Sequence, residues 1–140
     1  MVDALLECWR VLEPGGTLID LRPFHSNPAV EIITANEILQ PGNINDEGGA
    51  ADDEAADEAL AETVRRGAFA LEMQDSFQFA NYWDTLQEML DYAAEKWRDF
   101  SIIPAETIEK SWRFIADSDG PYQMRVRRKI NMAVYRKRPT

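Results

Sequence analysis

Apolar residues recur at helical spacing in four stretches of the chain. Near the N-terminus, Leu5, Cys8, Trp9 and Leu12 share one face, because residues three and four positions apart lie on the same side of a helix. This spacing predicts a first helix over residues 2–12. Comparable spacing predicts three more helices, over residues 52–66, 84–97 and 104–116. The helix at 84–97 has Asp84 as its predicted N-cap, with Gln87 three residues later. The helix at 104–116 is predicted to turn Ile108, Trp112 and Ile115 inward.

A period of two predicts strands elsewhere. Residues 17–21 form a short apolar run, typical of a strand that is covered on both faces. Residues 71–79 and 123–137 alternate apolar and polar side chains, which predicts one face packed on helices and one face in water. The apolar positions of these two strands are Leu71, Met73, Phe77 and Phe79, and then Met124, Val126, Ile130, Met132 and Val134, with Arg128 as an interruption.

A weaker alternation over residues 29–45 predicts a small hairpin. Gln40-Pro41-Gly42-Asn43 suits a type II turn, with proline second and glycine third.

The aromatic residues that follow further along the chain are predicted to fill the core in preference to lining a substrate pocket. They are Phe77, Phe79, Tyr82, Trp83 and Tyr92.

The junction between the first helix and the first strand carries a recognisable pattern. Pro14 ends the helix, and Gly15-Gly16 supply the backbone freedom of a tight reversal. The stretch resembles a segment of the class I S-adenosylmethionine-dependent methyltransferases, in which a helix ending in Arg-Val-Leu precedes Pro-Gly-Gly and the fifth strand. The matching residues are Glu7, Arg10, Val11, Leu12, Pro14, Gly15, Gly16 and Leu18.

The resemblance implies an α/β fold and a family chemistry, the transfer of a methyl group from S-adenosylmethionine. The chain would be a single domain over residues 1–140 that corresponds to the family's C-terminal half. Its sheet would be a partial Rossmann-like sheet, with flanking helices, strands resembling the fifth, seventh and sixth, and an inserted hairpin. The last strand would lie antiparallel to the other two and between them.

The cofactor half of that family has no counterpart in this sequence. Members hold S-adenosylmethionine with a glycine-rich loop after the first strand and an acidic residue that ends the second. The glycines here are at 15, 16, 42, 48, 49, 67 and 120, and no Gly-x-Gly follows a strand-like run. We therefore expect no cofactor to bind the isolated chain, and no cofactor-binding residue is named. Whether Met1 is a native start or a truncation point stays open.

The candidate substrate-side residues are Asp20, near the end of the strand at 17–21, and Arg22 and His25 in the loop that follows. Ligands of open α/β sheets bind at the carboxyl ends of strands, and His25, the one histidine, can exchange a proton near neutral pH. The alternative is that Asp20 and Arg22 pair with each other and that His25 is solvated. No catalytic residue is assigned. No metal site is expected, because the acidic stretch over residues 46–58 lacks the spacing of a calcium loop and suits a solvated helix face.

Charge narrows the classes of partner. A net charge of -10 argues against nucleic acid and anionic membranes as partners. Seven basic residues between Arg125 and Arg138 are expected to face the acidic helices. The lone cysteine, Cys8, the absence of a signal-like segment and the lack of a spanning apolar run favour a cytoplasmic protein.

Three functions stay open at this point. The chain is a methyltransferase-like remnant or split subunit, a non-catalytic interaction or scaffold protein derived from that fold, or an unrelated acidic α+β protein. The substrate is unknown. Because the family's fourth strand would pair with residues 17–21 and is missing here, we expect a homodimer or a partner chain along that edge. The intramolecular alternative is that the hairpin at 29–45 covers the edge and leaves a monomer.

Overall fold

The computed structural model describes residues 1–98 and 100–139, which form four α-helices and five strands. The helices are α1 (Val2–Val11), α2 (Ala50–Arg65), α3 (Leu86–Tyr92) and α4 (Ala105–Asp117). The strands are β1 (Thr17–Pro23), β2 (Ala29–Thr34), β3 (Ile38–Asn43), β4 (Phe69–Trp83) and β5 (Tyr122–Lys137). A 3₁₀ turn at Glu47–Gly49 precedes α2, and a π-helical turn at Ala93–Trp97 follows α3.

Strand β5 makes most of the strand pairings. It pairs with β1, β2 and β4, and β3 is added to β2. The pairings of β1 with β5, of β2 with β3 and of β2 with β5 are antiparallel. The α/β class is therefore confirmed, with an antiparallel sheet. The predicted pairing of β5 with both β1 and β4 is confirmed, whereas the partial Rossmann-like sheet stays a prediction.

The chain divides into two compact units. The first contains Met1–Phe24, Ala50–Phe77 and Lys129–Thr140, and the second contains His25–Gly49 and Gln78–Arg128. Strands β4 and β5 each contribute residues to both units. The prediction of a single domain over residues 1–140 stays a prediction.

The first unit packs α1 and α2 around a small core. Leu60 of α2 and Phe69 of β4 are buried together with Ala133 and Tyr135 of β5. The predicted apolar face of α1 packs on this cluster through Leu5, Trp9 and Leu12. The C-terminal end of α1 is also held by Lys137, whose ammonium group donates to the Leu12 carbonyl at 2.6 Å and lies 4.4 Å from the Trp9 ring centroid.

The second unit has the larger core. Val30 and Ile32 of β2 lie beside Val126 and Met124 of β5, in a register that pairs Val30 with Val126. Leu86 and Met89 of α3 cover these strands, together with Ile44 and Trp83. The side chains that these strands bury in this core are β-branched, except for the long and unbranched Met124. Such side chains are expected in strands that pack on a helix.

The predicted apolar face of β5 is wrong for the part of the strand that lies in the first unit. The second unit buries Met124 and Val126, whereas the first unit buries Ala133 and Tyr135. The buried side chains therefore change from even to odd positions along the strand. The alternation in the sequence continues through this change because Met132 and Val134 are apolar although they are only partly buried.

The predicted packing of β4 is also wrong. Its four apolar positions, Leu71, Met73, Phe77 and Phe79, are between 44% and 48% exposed. Only the two ends of the strand, Phe69 and Trp83, are buried. Alternation shows that a strand is amphipathic, but whether a helix covers its apolar face depends on elements elsewhere in the chain.

The hairpin over residues 29–45 is confirmed, but its turn is elsewhere. Thr34 and Glu37 close the reversal, with a Thr34 amide to Glu37 carbonyl bond of 3.0 Å and a Glu37 amide to Thr34 hydroxyl bond of 3.2 Å. The predicted turn at Gln40–Asn43 is wrong, because these residues belong to β3. The hairpin pairs with β5 through β2 and has no pairing with β1 among the described residues.

Helix boundaries and faces differ from the predictions in two places. The N-cap of α3 is Thr85, whose hydroxyl accepts from the Glu88 amide at 3.1 Å, so the predicted Asp84 cap with Gln87 is wrong by one residue. In α4 the buried residues are Thr107 and Ser111, whereas Trp112 is 43% exposed. Small hydroxyl side chains allow α4 to approach its neighbouring strand closely.

Candidate functional site

Asp20 and Arg22 form an ion pair on β1 in the first unit. Arg22 Nε donates to both Asp20 carboxylate oxygens at 3.0 Å, and Nη2 donates to Oδ2 at 2.8 Å. The same guanidinium contacts α2, through the Asp53 carbonyl at 3.0 Å and the Asp57 carboxylate. The hydrogen bond with Asp20, together with Asp57, raises the pKa of Arg22 against the effect of burial. Asp20 and Arg22 thus pair with each other, which is the alternative given in the sequence analysis. The contacts of Arg22 with Asp53 and Asp57 also join β1 to α2.

His25 belongs to the second unit, where the Asp46 carboxylate lies beside it. The distance from His25 Nδ1 to Asp46 Oδ2 is 3.6 Å. The imidazole lies against Gly49, since a Cβ atom at position 49 would be 2.8 Å from His25 Cε1. His25 thus lies between a carboxylate and a glycine and is partly buried, with 21% of its side chain exposed, so the alternative of a solvated histidine holds only in part.

Asp46 is a fully buried carboxylate. Its Oδ2 accepts from Arg128 Nη1 at 2.9 Å, and its backbone amide donates to the Asn27 side-chain oxygen at 3.0 Å. Asn27 has a φ of 50°, in the left-handed region that asparagine tolerates better than most residues. The second carboxylate oxygen, Oδ1, is buried and accepts no hydrogen bond from the described residues.

Arg128 closes this group of side chains. Its Nη2 donates to Ser101 Oγ at 3.3 Å, and its guanidinium lies 5.0 Å from the Trp97 ring centroid, a cation-π contact. The loops that carry Asp46 and Ser101 are joined by two backbone hydrogen bonds between Asn45 and Ile102, of 2.8 Å and 2.7 Å. The result is a group of three side chains, the buried Asp46 and the partly buried His25 and Arg128, in which the arginine supplies the counter-charge of the carboxylate.

The Asp46 carboxylate, 3.6 Å from His25 Nδ1, lies close enough to influence the orientation of the imidazole. Sequence reasoning selected His25 but placed Asp46 on a solvated acidic face, which is wrong. The signal that was available is Arg128, because a cation at an apolar position of a strand indicates a buried partner.

A second cluster in the same unit surrounds Glu31 of β2, whose carboxylate is only 2% exposed. Glu31 Oε1 accepts from Arg125 Nε at 3.0 Å and from Arg127 Nε at 2.8 Å, while Oε2 accepts from Arg127 Nη2 at 3.0 Å and from Gln40 Nε2 at 3.3 Å. Burial acts to raise the pKa of Glu31, but the hydrogen bonds from Arg125, Arg127 and Gln40 together hold that pKa below its ordinary value of 4.5. The carboxylate is therefore ionised at neutral pH.

A cavity of about 250 Å³ adjoins this cluster and is lined by Ala29, Glu31, Gln78 and Arg127. Sequence reasoning missed this cavity, because Glu31 lies within a weakly predicted hairpin, although Val30, Glu31 and Ile32 are all buried. A buried carboxylate between two apolar neighbours is the feature that could have indicated a cationic partner across the sheet.

Four of the basic residues of β5 pair with carboxylates of strands or loops and not with acidic helices, so the expectation is wrong for these four. Arg125 and Arg127 bind Glu31 on β2, and Arg128 binds Asp46 in a loop. In the first unit, Arg136 binds Glu72 of β4 at 2.8 Å. Basic side chains of a strand pair with carboxylates on neighbouring strands because cross-strand neighbours lie within reach of one another.

The predicted aromatic core holds for two of its five members. Trp83 and Tyr92 pack with Trp97 in the second unit, at centroid distances of 5.5 Å to 6.0 Å. Phe77, Phe79 and Tyr82 are instead about half exposed, at 45% to 52%. Aromatic residues at strand spacing were thus only partly core residues.

Among the described residues, no cluster of three or more histidine, cysteine or acidic side chains suits a metal ion. None of the helices in that part of the chain has the length and apolar character needed to cross a membrane.

Comparisons with protein-family models, with curated proteins and with solved structures found no match to this chain.

Proposed function

We propose that this chain is a methyltransferase-like module that resembles the C-terminal half of a class I S-adenosylmethionine-dependent methyltransferase. The supporting observation is that β5 pairs with both β1 and β4, as the family's seventh strand pairs with its fifth and sixth. The junction at Pro14-Gly15-Gly16 adds support, since Gly15 has a φ of 73° in a tight turn between α1 and β1.

The described residues do not fit S-adenosylmethionine. A glycine loop for such a cofactor joins a strand to the following helix, whereas Gly15, Gly67 and Gly120, the glycines with positive φ, each join a helix to the following strand. Gly49 does precede α2, but His25 occupies the space beside it. We therefore propose that the isolated chain does not bind the cofactor, and we derive no methyl-transfer step.

Two measurements test this proposal. Calorimetry with S-adenosylmethionine and with S-adenosylhomocysteine should show no saturable binding, and micromolar binding would overturn the cofactor proposal. Nuclear Overhauser effects should connect β5 with both β1 and β4. If the nuclear Overhauser effects between β5 and β1, or those between β5 and β4, are absent, the methyltransferase resemblance loses its support. An unrelated acidic α+β protein is then favoured.

A second function, that of an interaction module, is favoured by the outer side of β1. Ile19 and Leu21 are 56% and 55% exposed, and the described residues of β1 pair only with β5. A strand with an open edge and apolar side chains is a template for another strand. We propose a second copy of the chain as the partner, because Ile19 and Leu21 present apolar side chains and the residues of β1 itself carry no net charge, in a protein of net charge -10.

A two-fold axis places such a strand antiparallel to its own copy, which gives a closed dimer. Light scattering should then give twice the chain mass of 16.0 kDa. A monomer mass at high concentration contradicts the dimer.

We propose the cytoplasm as the location, because a reducing compartment suits the free thiol of Cys8.

A further inference from the structure

The Glu31 cluster carries more positive than negative charge. Two guanidinium groups, those of Arg125 and Arg127, bind the single carboxylate of Glu31. Gln40 donates to Glu31 and Tyr82 interacts with Arg125, and neither residue adds a carboxylate to the cluster. One positive charge is therefore left over within the cluster.

Glu31 has little capacity to bind anything else. Both of its oxygens already accept two hydrogen bonds each, from Arg125, Arg127 and Gln40. Its pKa lies below the ordinary value, so it stays an acceptor at neutral pH and cannot donate to a ligand. Glu31 thus acts as a brace that fixes the orientation of Arg127.

Arg127 keeps one side of its guanidinium available. Nε and Nη2 point to Glu31, whereas Nη1 makes no hydrogen bond within the described part of the chain. The side chain is 53% exposed although it is fixed at two points. A guanidinium that is already oriented loses less entropy when it binds a planar or tetrahedral oxyanion.

The adjoining cavity provides the space. Its volume of about 250 Å³ is slightly below the range of about 300–1,000 Å³ that is usual for small-molecule sites, so it suits a small ligand group. Arg127 and Glu31 form one part of the lining, Gln78 supplies an exposed carboxamide donor, and Ala29 leaves room because its side chain is a single methyl group. The donors that remain are suited to an anion and not to a cation.

We propose that this cavity binds the carboxylate or phosphate group of a small molecule, with Arg127 as the principal donor and Gln78 as a second donor. The inference is independent of the methyltransferase resemblance, because every residue in it lies in the second unit.

The test is a titration of the full chain with sodium phosphate and with sodium acetate, followed by NMR, with sodium chloride at matched ionic strength as the reference. Saturable shifts of the Arg127 Nε and Gln78 side-chain signals are expected with phosphate, acetate or both. Which anion binds more tightly identifies the oxyanion class. The absence of saturable shifts with either anion in the millimolar range overturns the proposal.

Two variants locate the site. Arg127→Gln should weaken binding by about tenfold or more, since a hydrogen bond to a charged group contributes on that order. Arg113→Gln, which removes an arginine of similar exposure from α4, should leave binding unchanged. Equal affinity for Arg127→Gln and the unmodified chain rejects the site.

A third variant separates binding from folding. Ala29→Leu fills the cavity and leaves Arg127, Glu31 and Gln78 in place. It should weaken binding by a comparable factor without a change in charge. If Arg127→Gln fails to fold, retained affinity in Ala29→Leu rejects the proposal and lost affinity supports it.

Discussion

Gly42 of β3 and Thr107 of α4 lie so close together that a Cβ atom on residue 42 would overlap the Thr107 Oγ1 atom. The Cβ and Cγ2 atoms of Thr107 would each be 3.2 Å away. Since Thr107 is buried, it has little room to move. Gly42→Ala should therefore lower the free energy of unfolding by about 1–3 kcal/mol, the usual cost of overpacking, as measured by urea denaturation.

A double-mutant cycle checks that this contact is the cause. Thr107→Ala removes Oγ1 and Cγ2, so the pair Gly42→Ala and Thr107→Ala should be less destabilised than the sum of the single variants. Gly120→Ala is the comparison, because it meets no neighbour within 4 Å and is strained only by its φ of 93°. Additive effects of Gly42→Ala and Thr107→Ala would contradict the close packing.

The same contact explains why the turn at Gln40–Asn43 could not be predicted. A type II turn requires glycine because of its positive φ, but Gly42 is not among the glycines with positive φ. It is needed because α4 leaves no space for a side chain. Proline followed by glycine is a local signal, whereas the requirement here comes from a helix far along the chain.

Arg128 neutralises Asp46, and its loss should be costly. Arg128→Gln leaves a fully buried carboxylate without a cation, so we expect a loss of about 3–5 kcal/mol in the free energy of unfolding at pH 7, measured by urea denaturation. The double variant Arg128→Gln with Asp46→Asn should be more stable than Arg128→Gln alone, because it removes the uncompensated charge.

Arg113→Gln is the matched control for this experiment. Its partner Glu109 and Arg113 itself are both well exposed, so we expect a change of less than about 1 kcal/mol. If Arg128→Gln costs no more than Arg113→Gln, the ion pair of Asp46 with Arg128 does not stabilise the fold.

Glu31 should make stability depend on pH in the acid range. Its folded-state pKa is lowered below 4.5, so the unfolded state binds a proton at higher pH than the folded state does. The stabilisation is therefore complete above about pH 5 and is lost as pH falls through the folded-state pKa. Urea midpoints of the unmodified chain should fall steeply below pH 4.5 for this reason.

Glu31→Gln removes that dependence. At pH 7 we expect this variant to be less stable by about 3 kcal/mol, the lower end for a broken buried ion pair, because Arg127 is half exposed. The stability difference from the unmodified chain should shrink as the pH falls. Glu109→Gln, which removes an exposed carboxylate, is the control. A difference that stays constant from pH 7 to acid conditions would contradict the ion-pair role of Glu31.

The sequence predicted the type and order of the helices and strands because each has its own periodicity. It could not predict which faces are covered, as β4 demonstrates with Phe77 and Phe79. The candidate site divides in the same way. The pairing of Asp20 with Arg22, two residues apart on one strand, was foreseeable, whereas Asp46 and Arg128 meet only through tertiary packing.

The outer side of β1 is the surface on which the dimer proposal depends. Ile19 and Leu21 project from the same face of the strand and are about half exposed, so lysine at these positions disturbs little of the first unit's core. The double variant Ile19→Lys and Leu21→Lys should be monomeric at concentrations at which the unmodified chain is a dimer, because two copies would bring like charges together. Sedimentation equilibrium over a range of concentrations measures this shift.

Ile38→Lys provides the control, since Ile38 is 52% exposed on β3 of the second unit and has a comparable apolar side chain. It should retain the dimer with an unchanged dissociation constant. The stability of each lysine variant should differ from that of the unmodified chain by less than about 0.5 kcal/mol, as is usual for exposed positions. A dimer that persists in the β1 double variant, or that is lost equally in Ile38→Lys, places the interface elsewhere. Loss confined to the β1 variant identifies this strand as the surface through which the chain assembles.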